Sequence, residues 1–310
     1  MKFALIFPGQ GSQYIGMGRE IYDNFKVAKD VFQEVDDVLK QNLSKIIFEG
    51  PSDELTLTEN AQPALMAVSL ATYKVLAENS AFNSSSASFV AGHSLGEYSA
   101  LAASNALTIS DAAQLLKIRG QAMQAAVPLG AGSMAAILGA TLEQVEEIVQ
   151  FASAVGICEI ANDNSEGQVV ITGEVDSINT AIDYAIKLGK KAVKLSVSAP
   201  FHSSLIKNAA KVMQDALSNT TINIPRSPLV SNVEASMVMD PKLIKELLVT
   251  QVTARVRWRE SILYMRDQGV NTFIEVGAGK VLTGLLRRID RTLSGYNVEA
   301  PNDIDQIPKQ

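Results

Sequence analysis

Apolar residues fall along this chain in two rhythms: short unbroken runs closed by glycine or proline, and longer stretches where they return every three or four positions. The run 3–7 stops at Pro8-Gly9, which predicts a buried strand. Residues 18–39 read as helical with breaks, and 63–77 as a longer helix with Pro63 in its first turn. The run 88–91 predicts a second strand, followed by an alanine-rich helix over 97–103. Ser110 is the expected cap of the next helix, which carries Arg119 and Met123.

The rhythm changes after Pro128. Strands are predicted over 134–138, 155–160, 169–172 and 192–197, with helices over 141–151 and 175–188. This β-α-β-β-α-β order is the split pattern of a ferredoxin-like unit, with the polar stretch 162–167 as the turn between its middle strands. The alternative is that these strands extend the main sheet. The complete compact motif favours a small α+β domain over 128–198, inserted between 1–127 and 199–310 of a larger α/β domain. In the second part, helices are predicted over 205–217, 243–248, 258–265 and 281–289, and strands over 229–233 and 272–277. Roughly the last twenty residues are polar and read as a peripheral tail.

Composition narrows the class. With 47% hydrophobic and 19% charged residues over 310 positions, a sizeable core is expected. The formal charge of −6 argues against general nucleic-acid binding. Cys158 is the only cysteine and there are two histidines, so neither a disulfide nor a usual structural zinc site is expected. The N-terminal run has the length of one strand, too short for a secretory signal, and no run is long enough to span a membrane. A cytoplasmic enzyme is the expectation.

Gly92-His93-Ser94-Leu95-Gly96 follows the second strand and precedes a helix. A G-x-S-x-G turn in that setting lifts a serine hydroxyl above the strand end, which points to acyl transfer or acyl hydrolysis. Ser94 needs a base, and only His93 and His202 are available. His93 lies within the turn itself, so His202 is favoured as base and His93 takes a supporting place. A hydrolase triad would draw its acid from between serine and histidine. Asp163, Asp176 and Asp183 all fall in the small-domain segment, so a dyad oriented by a carbonyl or amide is as plausible as a triad. The turn 7–13 matches neither dinucleotide-binding nor P-loop spacing; its Gln10 amide could instead join that of Leu95 at an oxyanion. Arg119 reads equally as a surface residue with a buried stem or as a fork for a carboxylate. Met123 beside it reads as core or as pocket wall.

Phe7-Pro8-Gly9-Gln10-Gly11-Ser12-Gln13, Gly92-His93-Ser94-Leu95-Gly96-Glu97-Tyr98, Arg119-Gly120, Ala161-Asn162, Pro200-Phe201-His202-Ser203, Ser231-Asn232 and Val256-Arg257-Trp258 occur here in order. This set resembles the malonyl-coenzyme A:acyl carrier protein transacylase family, discrete polyketide-synthase acyltransferases included, over nearly the whole chain. The resemblance implies a hydrolase-like three-layer α/β core with an inserted ferredoxin-like α+β small domain, acting as a monomer without metal or cofactor. It implies that Ser94 carries a malonyl ester between malonyl-coenzyme A and the phosphopantetheine thiol of acyl carrier protein. His202 would be base and then acid, oriented by the backbone carbonyl of Gln251, with Gln10 and Leu95 as oxyanion donors. Arg119 would clamp the malonyl carboxylate, with Met123, His93 and Asn162 lining the substrate site. The resemblance implies proline just before Val256-Arg257-Trp258, where this chain has Arg255, so it departs from the expected pattern near Gln251. Lys187, Lys190, Lys191 and Lys194, or Arg287 and Arg288, are candidates for docking an acidic carrier. A serine thioesterase using the same nucleophile is the competing enzyme, and a non-catalytic carrier-binding scaffold is the competing class.

Overall fold

The computed structural model describes residues 2–128, 130–195, 197 and 199–308. Strand β1 (Phe3–Phe7) is buried along its whole length. Five helices follow: α1 (Arg19–Asn24), α2 (Lys26–Leu39), α3 (Leu43–Glu49), α4 (Ser52–Thr56) and α5 (Thr58–Asn79). Then come β2 (Phe89–Gly92), α6 (Gly96–Ala103) and α7 (Ile109–Ala125). The next six elements are β3 (Gly132–Leu138), α8 (Leu142–Ala152), β4 (Cys158–Ser165), β5 (Gln168–Glu174), α9 (Val175–Lys187) and β6 (Lys191–Lys194). The chain continues through α10 (Lys207–Ser218), β7 (Leu229–Val230), β8 (Met237–Val238), α11 (Pro241–Gln251) and α12 (Trp258–Asp267). It ends with β9 (Thr272–Val276), α13 (Val281–Ile289), β10 (Ser294–Val298) and a 3-10 turn over Pro301–Gln306.

The larger sheet has the order β10-β9-β1-β2-β7-β8, parallel except for β8. Its central strands β1 and β2 are apolar on both faces because both faces are covered. Phe3, Leu5 and Phe7 pack on one side with α5 and α7, while Ala4 and Ile6 pack on the other with Trp258, Ile262 and Leu286. This is a helix–sheet–helix sandwich. The second sheet, β4-β5-β3-β6, is antiparallel and has the strand order of the split βαβ unit. Ala135, Ile137, Val169 and Ile171 face α8 and α9. The alternate residues Met134, Ala136 and Val170 face the large core and line a cavity between the two sheets. No described helix is long and apolar enough to cross a membrane.

Several sequence expectations need correction. Helix α5 starts at Thr58, so Pro63 is its sixth residue and not in a first turn. The first turn is hidden in sequence because Thr58, Asn60 and Gln62 are polar yet buried, each held by a distant partner. The cap of α7 is Thr108, whose hydroxyl accepts from the Asp111 amide; Ser110 donates to Glu34 instead. The stretch 162–167 is a turn only at its end, Glu166-Gly167: β4 begins at Cys158, later than expected, and runs through Asn162, Asp163 and Asn164 to Ser165. Register irregularities and a parallel bridge from Asn162 to Val256 let those polar residues stay in the strand. The final segment is no loose tail, since β10 pairs in parallel with β9 and Val298 is fully buried. Ser196, in the strand expected to reach 197, and Ser198, at the expected boundary, lie outside the described residues; β6 itself spans Lys191–Lys194.

Glu275 at the end of β9 is fully buried and caps α13 from outside that helix. Its carboxylate accepts from the amides of Leu282 and Thr283 at 2.9 and 2.8 Å, and from the Thr283 hydroxyl at 2.9 Å. Burial pushes its pKa up to about 7, against the pull of those donors. A folded-state value above the unfolded one means the cap's contribution is complete in acid and declines as pH rises through 7. Glu275→Ala is therefore expected to cost about 1–2 kcal/mol of unfolding free energy near pH 5, and less at pH 8. Denaturant titrations at both pH values check the size and the sign.

Candidate active site

The parallel register sets β1 and β2 side by side, and the loops after them meet. Phe7 pairs with Gly92, and the His93 amide donates to the Phe7 carbonyl at 3.0 Å. Two glycines make the turn after β2 possible. A Cβ on Gly92 would lie 1.9 Å from the Gly96 carbonyl, and one on Gly96 would lie 2.4 Å from the Phe7 oxygen. Between them Ser94 adopts φ 53°, a left-handed conformation that costs a non-glycine residue about 1 kcal/mol or more. The strain is held by side chains: Asn232 Oδ1 accepts the Ser94 amide at 2.7 Å, and Gln251 Nε2 donates to the Ser94 carbonyl at 3.0 Å.

Ser94 Oγ lies 2.8 Å from His202 Nε2. His202 also has positive φ, 54°, in the segment leading to a short 3-10 turn before α10. Glu159 of β4 pins that segment by accepting from the Ser203 hydroxyl and the Ser204 amide, both at 2.8 Å. His202 Nδ1–H donates to the backbone carbonyl of Gln251 at 2.9 Å, leaving Nε2 as the acceptor toward serine. Gln251 ends α11, and the last carbonyls of a helix have no intrahelical partner, so this one is available. Burial and the nearby Arg119 hold His202 down at about 3, so the ring is neutral at physiological pH.

The candidate acids are elsewhere. Asp163 is buried in an ion pair with Arg259 of α12 at 2.9 Å, while Asp176 and Asp183 are exposed on α9. His93 does not touch Ser94 Oγ: its Nε2 donates to Asn164 Oδ1 at 2.8 Å, and its ring packs beside Trp258. Burial lowers the His93 pKa, opposed by the Asn164 hydrogen bond. Arg255 pairs with Glu260 at 3.5 Å and Glu146 at 4.0 Å, and the Gln251 carbonyl keeps its contact with His202.

Arg119 is not a surface residue; it is only 1% exposed. Its Nη1 donates to Gln62 Oε1 at 2.8 Å, and its Nη2 reaches Gln251 Oε1 at 2.9 Å and Ser94 Oγ at 3.1 Å. Nε has no partner. No described carboxylate forms a direct ion pair with it, although Glu97 and Tyr98 lie close enough to oppose the lowering of its pKa by burial. Ser94, His202 and Arg119 line one cavity of about 380 Å³ with Gln10, Met123, His93 and Asn162, a size within the small-ligand range. Leu95 is buried directly after the serine, at the start of α6. Among the basic candidates, Lys187, Lys191 and Lys194 are exposed on the small sheet and α9, and Lys190 bonds the Gly139 carbonyl. Arg288 bonds Gln168, which lines the cavity.

Sequence reasoning assigned no role to Gln62, Asn164, Asn232 or Glu97. Glu97 did carry a signal: it is the one charged residue in the alanine-rich helix Gly96–Ala103 that follows the elbow. Its Oε2 accepts from Gln251 Nε2 at 2.7 Å and from the Asn232 amide at 3.2 Å. Burial raises its pKa to about 7 against those two donors and Arg119.

An acyl transferase domain model matches residues 4–300. The chain is 44% identical to the malonyl CoA-acyl carrier protein transacylase of Bacillus subtilis over 98% of its own length and 95% of that protein's. It is similar in structure to an acyl-carrier-protein-S-malonyltransferase from Bartonella henselae, with TM-score 0.96, 51% identity, and coverage of 99% and 98% of the two chains. A second such enzyme, from Burkholderia pseudomallei, aligns with TM-score 0.96 and 42% identity over 99% of each chain.

Proposed function

The chain belongs to the malonyl-coenzyme A:acyl carrier protein transacylase family, and from that premise we propose how its own residues carry the transfer. The enzyme moves a malonyl group from malonyl-coenzyme A to the phosphopantetheine thiol of acyl carrier protein, an extender unit for fatty-acid synthesis. The observation that supports the residue roles best is the position of Ser94 Oγ, shared between a neutral imidazole and a buried guanidinium.

In the first half-reaction, Ser94 Oγ attacks the thioester carbonyl carbon as its proton passes to His202 Nε2. The carbonyl oxygen takes the negative charge, and the backbone amides of Gln10 and Leu95 donate to it. The C–S bond then breaks, and the departing coenzyme A sulfur takes the proton from His202. Ser94 is left as a malonyl ester. In the second half, the carrier thiol gives its proton to His202, attacks the ester carbonyl, and expels Ser94 Oγ, which recovers the proton. Gln251 keeps the imidazole in the right tautomer throughout. Arg119 holds the malonyl carboxylate, and Met123, His93 and Asn162 border the acyl thioester. Nucleophile, base and guanidinium meet within a single chain, as a monomeric enzyme requires, and the cytoplasm is the compartment of this reading. Residues 128–198 serve as the small domain roofing the cavity, over a large domain formed by 1–127 and 199–310. Arg288, whose partner Gln168 lines the cavity, and its exposed neighbour Arg287 suit an acidic carrier better than the lysines.

Intact-mass measurement after brief exposure to malonyl-coenzyme A tests this reading. A single malonyl adduct is expected, absent in Ser94→Ala, slow to discharge into water and rapidly discharged by the thiol of holo carrier protein. Discharge at a rate unaffected by the carrier would identify a hydrolase instead.

A further inference from the structure

Glu97 is buried one turn beyond the nucleophile, and the transfer cycle gives it no part. Its Oε2 is the shortest acceptor of the Gln251 side-chain amide, at 2.7 Å. The other groups around Gln251 Nε2 are also acceptors, the Ser94 carbonyl at 3.0 Å and Asn232 Oδ1 at 3.4 Å. With its nitrogen committed there, Gln251 turns Oε1 toward Arg119 Nη2, which in turn reaches Ser94 Oγ. The main-chain carbonyl of the same glutamine holds His202.

We propose that Glu97 is a positioning residue: its carboxyl fixes which way the Gln251 amide faces, and through that amide it sets the guanidinium of Arg119 for the malonyl carboxylate. Reversal of the amide would set NH₂ against a guanidinium, donor against donor, and Arg119 would lose its anchor. A carboxyl suits this position because it accepts from both Gln251 and Asn232 whether or not it is ionised. This inference rests on the malonyl-transfer reading for its substrate.

The test compares acylation of Ser94 by malonyl- and acetyl-coenzyme A in wild type, Glu97→Gln and Glu97→Met, with thermal unfolding followed in parallel. Methionine fills the space but accepts no comparable hydrogen bond. Glu97→Met is expected to lower malonylation about 30-fold, the scale of one buried hydrogen bond to a charged group, with a much smaller loss toward acetyl. Glu97→Gln, which keeps one acceptor oxygen, is expected to restore the malonyl rate to within about fivefold of wild type. Gln251→Met removes the same amide while keeping the main-chain carbonyl, and is expected to show the same malonyl-selective loss even if Glu97→Met fails to fold. Equal losses toward both acyl groups, no rescue by glutamine, or wild-type malonyl preference in Gln251→Met would each overturn the proposal. Wild-type protein that accepts no malonyl group overturns the transfer reading together with it, whereas a malonylating wild type matched by both methionine variants overturns the role of Glu97 alone.

Discussion

His202→Ala is expected to slow malonylation of Ser94 by about 10⁴-fold, and Ser94→Ala to abolish the adduct altogether. A serine hydroxyl is a poor nucleophile until a base takes its proton, and His202 Nε2 is the base in reach, 2.8 Å away. Nδ1 is tied to the carbonyl that ends α11, so the tautomer is fixed before substrate arrives. The negative end of that helix also favours the imidazolium formed during attack. Because burial keeps His202 down at about 3, its protonation should not shut the reaction off near 6.5, as it would for an exposed histidine. The same shift has a stability consequence of definite sign. The unfolded chain protonates this ring below about 6.5 while the folded one keeps it neutral, so its contribution falls as pH drops from 6.5 toward 3. His202→Ala should lose that dependence. Rapid-quench mass analysis of acylation checks the rate, and a decrease of less than tenfold would remove His202 as base.

How much of this was legible in sequence depended on whether a residue acts through its side-chain type or through its place in the fold. The elbow could be read because both flanking glycines are demanded by backbone contacts, at 1.9 and 2.4 Å from a Cβ. His202 could be read because only two histidines compete and the other lies inside the turn. Gln251 was accessible only through family resemblance, since a backbone carbonyl leaves no mark on residue identity. Asn162, Asp163 and Asn164 looked like a turn because local polarity ordinarily means solvent. Their partners, Val256, Arg259 and His93, are too distant in the chain for a local pattern to register. Thr58 to Gln62 misled in the same way, masking the start of α5. The small domain's sheet was legible because alternation marks its strands face by face, whereas the edge strand β10 is half-exposed, polar and short.

Arg119→Ala is expected to cut the preference for malonyl over acetyl groups by about 10²–10³-fold, mostly by slowing malonyl transfer. A guanidinium 1% exposed with no direct carboxylate partner among the described residues is an expensive thing to keep in a folded protein. Two neutral amide oxygens, Gln62 and Gln251, hold it in place without neutralising it. Among the described residues Nε has no partner, and Nη2 reaches Ser94 Oγ. Such a site gains most when a ligand brings the missing negative charge, and an acetyl group brings none. Lysine should not substitute: an ammonium retains the charge but cannot span Gln62, Gln251 and a carboxylate in one plane. Arg119→Lys is accordingly expected to stay closer to alanine than to wild type in the ratio of kcat/KM for the two acyl donors. If the alanine variant kept the wild-type ratio, the malonyl carboxylate would have to be held elsewhere in the cavity, and the neutral-walled setting of Arg119 would need another purpose.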